Sequence, residues 1–167
     1  MRRKTVGKMY FAGKVHVTDP CYNEDVWCRS SVDVKAGEYT CIVWKNTDKY
    51  ESCGEMVSDT RIGVIGIYLG GAVPPQKSME EIATIGVDAG LAGFFTKKPD
   101  FTDSEWGQFC DMICKKTNGR RKDFWIFDDV INTIGFFSSS GYGDGVYPVY
   151  VARNPDGEIY AAEIRFI

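Results

Sequence analysis

The chain has 167 residues, of which 44% are hydrophobic, 14% aromatic and 26% charged, and its formal net charge is −3. That length suits one domain, residues 1–167, able to bury roughly 70% of the surface its unfolded form exposes. The acidic balance argues against a nucleic-acid footprint, and no apolar run approaches the roughly 18 residues of a membrane span; no nucleic acid and no membrane are expected as partners.

In chain order, Arg2, Arg3 and Lys4 read as a solvated basic terminus. Thr5 to Ala12 contains Gly7 and Lys8 and forms no signal-peptide core, so a cytoplasmic location is expected. A first strand runs over Lys8–Val17 and is broken at Asp19-Pro20, where proline removes an N–H and holds the preceding residue extended. Val32–Val34 is a short strand, followed by a turn at Lys35-Ala36-Gly37. Glu38–Trp44 is a β segment with Tyr39, Cys41 and Val43 on one face. Asn46–Ser58 is polar and reads as a hairpin loop or an irregular connection. Arg61–Leu69 is β-branched, and Gly63 and Gly66 within it signal a bulge or another backbone passing close by. Gly70 to Pro75 is a loop. Ile82 to Phe95 reads as a strand ending near Asp88, a turn at Ala89-Gly90 and a further short strand.

A helix is expected at about Asp103–Lys116. Thr102 and Glu105 form a capping box, and Trp106, Phe109, Cys110 and Ile113 give an apolar stripe. Lys115 and Lys116 suit its C-terminal dipole, and Asn118-Gly119 ends it. Phe124–Phe127 and Ile131–Phe137 are further apolar segments. They feed Ser138-Ser139-Ser140 and the loop Gly141-Tyr142-Gly143-Asp144-Gly145, whose glycines select backbone geometry. Val146–Ala152 and Glu158–Phe166 close a last hairpin around Asn154-Pro155-Asp156-Gly157. The fold class expected is α+β, mainly antiparallel β, a sandwich or partly open barrel with one packed helix near 103–116.

Three segments pair a strand end with a lone acid and turn residues: Asp19 in TDPCY, Asp88 in VDAG and Asp144 in GYGDG. Brought together, these carboxylates would bind a hard cation through oxygen ligands or supply acid/base chemistry; kept apart, each caps its own turn. The cysteines (21, 28, 41, 53, 110 and 114) read as reduced thiols, and their spacing is not that of a zinc ribbon. Cys21, near His16, is the best-placed thiol, either a nucleophile or a packed core residue. The serines before Gly141 do not form G-x-S-x-G. The glycine loop also lacks the lysine and following helix of a phosphate loop. Tyr22, Trp27, Trp44, Trp106 and Trp125 read as core aromatics, with a ligand-stacking platform as the alternative.

TDPCY…WC, GVDAGLAGFF and SSSGYGDGVYPVYVARNPDGEI together resemble a bacterial and phage-encoded family catalogued as domain of unknown function 4241, over about Val15 to Ile167. The resemblance implies a small, mainly β domain and supplies no activity, cofactor or catalytic residue. Function therefore rests on the residues. The first reading is a non-enzymatic binding or interaction module with its glycine-rich loop at 141–145, and Asp19, Cys21, Tyr22, Asp88, Tyr142 and Asp144 as binding candidates. Its partner would be a protein or a small molecule of unassigned class, and no cofactor is assigned. A second is a metal-dependent or acid/base hydrolase using Asp19, Asp88 and Asp144. A third, suggested by acidity and size, is an immunity-type protein that binds a toxin.

Overall fold

The computed structural model of the chain describes residues 1–22, 27–97, 99–116, 130–131 and 134–167, the side chains of 113–116 and 130–131 excepted. The strands are β1 (Arg2–Thr18), β2 (Ser30–Ser52), β3 (Glu55–Leu69), β4 (Glu80–Val87), β5 (Leu91–Phe95), β6 (Val130–Ile131), β7 (Gly135–Ser139), β8 (Gly145–Arg153) and β9 (Ile159–Arg165). They form one sheet of nine strands in the order β4-β8-β9-β3-β2-β1-β5-β7-β6. Neighbours in that order pair antiparallel; a parallel bridge also joins β2 to β9, Val34 opposite Ile159. The sheet curls into an open half-barrel, which settles the choice between sandwich and partly open barrel.

Alternation along the strands explains the curl's contents. Tyr39, Cys41 and Val43 of β2 face the concave core, as their spacing predicts, with Ile65, Ile67, Val149, Val151, Ala162 and Ile164. The opposite face of the same strands carries a smaller cluster around Ile42, Tyr68, Ala152 and Ala161. Within β5 and β7 the same rule divides neighbours: Phe94 and Phe136 enter the main core, whereas Leu91, Phe95 and Phe137 point outward.

The helix α1 (Asp103–Lys116) covers those outward aromatics. Phe109 packs on Phe137 at 5.1 Å between ring centroids, and Trp106 and Phe101 extend the stack. The capping box is present. The Thr102 backbone N–H and hydroxyl both donate to Glu105 Oε2 at 2.8 Å, and the Glu105 N–H faces the Thr102 hydroxyl at 3.4 Å. The Asn118-Gly119 stop, the Arg120–Lys122 run, Phe124–Phe127 with Trp125, and residues 132–133 of the Ile131–Phe137 segment lie outside the described residues.

Several expectations are corrected. Lys35-Ala36-Gly37 is not a turn: β2 runs through it, and Lys35 and Ala36 together face the stretch of β1 between Phe11 and Gly13, a β-bulge. Bulges absorb an extra residue while bending the strand, so punctuation that resembles a turn here curves the sheet instead. Further bulges fall at Val6, Gly63, Ile82 and Tyr160. Gly63 thus meets the expectation of a bulge. Gly66 is neither a bulge nor crossed by another backbone: its space is taken by the Tyr68 side chain, and a Cβ there would lie 2.2 Å from the Tyr68 hydroxyl oxygen. Asn46–Ser58 is an arm of paired strand closed by a two-residue turn, with Cys53 at φ 53° and Gly54 at φ 81°, the type I′ pattern. β1 begins at Arg2 rather than Lys8, its basic residues exposed. Trp27 is not core: it is 90% exposed.

Candidate functional site

The two ends of the curled sheet meet at a seam. On one side the β4–β8 ladder ends with Val87 opposite Gly145, and on the other the β5–β7 ladder begins with Leu91 opposite Ser139. Register alone therefore sets the turn Asp88-Ala89-Gly90 against the loop Ser140–Asp144. The Ser140 N–H donates to the Gly90 carbonyl at 3.0 Å. A Cβ on Gly90 would sit 3.9 Å from the Cα of Gly143.

β1 delivers the third segment. Asp19, fully buried, takes up three backbone donors: its Oδ1 accepts from the Cys21 N–H at 2.8 Å, and its Oδ2 from Asp88 at 2.8 Å and Ala89 at 2.6 Å. The carboxylate thus caps its own turn and also staples TDPCY to VDAG. Burial pushes the Asp19 carboxyl above its ordinary range, while the bonds from Ala89, Cys21 and Asp88 pull the other way. Cys21 follows the staple; burial and the neighbouring Asp19 push its thiol far up, the opposite of what a thiolate nucleophile requires.

The glycine loop is a tight turn built from its own backbone. The Gly143 N–H donates to the Ser140 carbonyl at 2.9 Å, and the Ser140 hydroxyl to the Gly143 carbonyl at 2.8 Å. Tyr147 adds a hydroxyl bond to the Gly143 carbonyl at 2.7 Å. Gly141, at φ 58°, is required on two counts, since a Cβ there would also lie 2.9 Å from Cβ of Phe166. The turn leaves Tyr142 and Asp144 exposed at its crest. The Tyr142 hydroxyl reaches the β2–β3 arm and donates to Asp48 Oδ2 at 2.9 Å.

Two clefts flank this junction. One, of about 490 Å³, is lined by Arg61, Asp88 to Gly90 and Ser139 to Asp144. Arg61 is held through Nε, which donates to both oxygens of Asp59 at 2.8 and 3.0 Å, and its guanidinium carbon lies 5.7 Å from the Tyr142 ring centroid. The other, of about 400 Å³, has apolar walls from Tyr22, Trp27, Ile85, Val87 and Val146. Its floor is Gly86: a Cβ there would meet Cys28 Sγ at 2.9 Å and the Tyr22 hydroxyl oxygen at 3.3 Å. The Gly86 N–H donates to the Cys28 carbonyl at 2.9 Å, fixing that strand edge against the segment carrying Trp27. Arg29 holds the other flank, donating to the Tyr22 carbonyl at 3.0 Å. Burial, then hydrogen bonding to Cys28 and Asp88, pushes the Tyr22 hydroxyl far up.

Asp88 and Asp144 line both clefts. Of the sequence candidates, then, Tyr22, Asp88, Tyr142 and Asp144 face the clefts, while Asp19 and Cys21 lie behind them. Among the described residues no group of three or more His, Cys, Asp or Glu is arranged to hold a metal ion. Sequence reasoning missed Arg61 and Cys28. The signal for Cys28 was Gly86, a glycine inside a strand; for Arg61 no local pattern existed. Trp27, expected as core with a ligand-stacking platform as the alternative, lines the smaller cleft. No helix among the described residues is long and apolar enough to cross a membrane.

A family model described as a protein of unknown function (DUF4241) matches residues 72–164. This is more than half of the chain, and the chain belongs to that family. The matched region holds Asp88, Asp144 and the glycine loop; Asp19, Trp27 and Arg61 lie outside it. No curated protein and no solved structure matches the chain.

Proposed function

We propose that this member of the DUF4241 family is a non-enzymatic binding module, and that the paired clefts at the seam take a cationic group. The observation that carries the reading is that the clefts share Asp88 and Asp144 as a common wall. Both carboxylates are exposed, and no ion pair engages either among the described residues. Three of the molecule's exposed large hydrophobic side chains, Trp27, Tyr142 and Val146, rim the same clefts. Aromatic anchors beside unneutralised carboxylates match a flat, delocalised cation such as a guanidinium, which gains both charge pairing and contact with ring faces. The volumes fall in the range of roughly 300–1,000 Å³ usual for small-ligand sites. The hydrolase reading counts Asp19 with these two acids, and Asp19 is committed to backbone N–H groups.

Titration of the uniformly ¹⁵N-labelled full chain with methylguanidinium, and with uncharged methylurea of similar shape, tests this. Methylguanidinium should shift the amides of residues 88–90 and 141–145 and the Trp27 indole in a saturable way. Methylurea should not. Equal responses to the two probes, or responses confined to other parts of the sheet, would overturn the reading.

A further inference from the structure

The larger cleft carries charge of both signs, and the pairing of its arginine is one-sided. The Arg61–Asp59 contact is made through Nε alone. It orients the guanidinium from behind and leaves the two terminal amino groups outside the pair. Arg61 lines the cleft together with Tyr142, whose hydroxyl is itself held by Asp48, so the cation lies between its bonds to Asp59 and the Tyr142 ring, 5.7 Å from the ring centroid. The acids Asp88 and Asp144 belong to the same lining. Asp59, the arginine's partner, does not.

Resting on the cation-binding reading above, we infer that the ligand is dipolar: a basic group seated on Asp88 and Asp144 and joined to a carboxylate that Arg61 receives. The terminal nitrogens of an arginine already oriented through Nε are suited to a carboxylate, because the fork needs no reordering to accept it. The chemistry that supplies both charges in one short unit is an arginine or lysine with a free α-carboxylate. It occurs as the free amino acid and as the last residue of a peptide. In a peptide, the residue before it would lie over the shared wall toward the second cleft, against Trp27 and Val146.

The test compares calorimetric affinities of the full chain for three probes: L-arginine, the tripeptide Ala-Leu-Arg with a free carboxylate, and the same tripeptide as its C-terminal amide. The free acid should bind about tenfold more tightly than the amide, the scale of one charge-assisted contact. Arg61→Met should remove that difference. Asp88→Asn with Asp144→Asn should weaken acid and amide alike. Tripeptide binding tighter than L-arginine identifies a peptide terminus as the source, and the reverse order identifies the free amino acid. If acid and amide bind the unaltered protein equally, the dipolar inference is overturned and cation binding stands. If neither tripeptide nor methylguanidinium binds, both fall together. The acid–amide comparison on the unaltered chain needs no variant and holds even if Arg61→Met does not fold.

Discussion

Asp19 shows how a residue can brace a candidate site without lining its clefts. Its side chain is an acceptor for backbone on two segments, so replacing it by asparagine sets an amide NH₂ against an N–H donor that has no other partner. Asp19→Asn should therefore cost about 1–3 kcal/mol of stability, the penalty of leaving a buried donor unsatisfied. Urea unfolding measures it. The same residue carries a pH dependence with a definite sign. Burial holds its folded-state pKa above the unfolded value, so its contribution is complete below about pH 3.9. It is lost as pH rises through the folded value. The stability difference between the native chain and Asp19→Asn should shrink between pH 4 and pH 7. A difference that grows over that interval would mean that the backbone bonds outweigh desolvation. The sequence showed an acid after a strand and before a proline. It did not show that the acid's second oxygen would serve residues 88 and 89, because that contact is made only when β1 and β5 lie side by side.

At the scale of elements, the helix was legible to the residue because its signals are local: Thr102 and Glu105 start it, and the spacing of Trp106 and Phe109 turns one face to the sheet. The last hairpin was legible for the same reason, its turn stated by Asn154-Pro155-Asp156-Gly157. The long strands were not. A bulge and a turn draw on the same residue types, so Lys35-Ala36-Gly37 signals interruption without saying whether the chain reverses or only bends. Gly93 of β5 sits opposite Phe137 of β7. A Cβ there would come within 2.4 Å of both the Phe136 carbonyl oxygen and the Phe137 Cβ. Backbone cannot yield as a side chain tip can, so Gly93→Ala should destabilise the protein by about 1–3 kcal/mol. Because β5 and β7 carry the platform for α1, thermal unfolding followed by circular dichroism should show the loss in helix and sheet signals together. Gly107→Ala, with open space around its Cβ, should not destabilise; a similar loss there would assign the Gly93 effect to something other than crowding.

In the whole molecule, the candidate site lies where the curled sheet fails to close. The β4–β8 ladder and the β5–β7 ladder approach from opposite ends of the strand order, and the connections between them, 88–90 and 140–144, have no ladder partner of their own except each other. Loops in that position escape the demands of pairing and remain free to present side chains. The three acidic motifs were visible in the sequence, and so was the possibility that they meet. What the sequence lacked was the seam itself, which splits their roles: Asp19 braces from behind while Asp88 and Asp144 form the wall between two clefts. Trp27 was read with the core aromatics because composition favours burial of tryptophan in a β protein of this size, whereas its segment passes outside β4 and holds it in solvent. The most direct measurement is a crystal structure of the full chain soaked with methylguanidinium. The cation should be found within hydrogen-bonding distance of Asp88 and Asp144, at the wall common to both clefts. A structure in which it binds only elsewhere, with those two carboxylates turned to bulk solvent, would contradict the account.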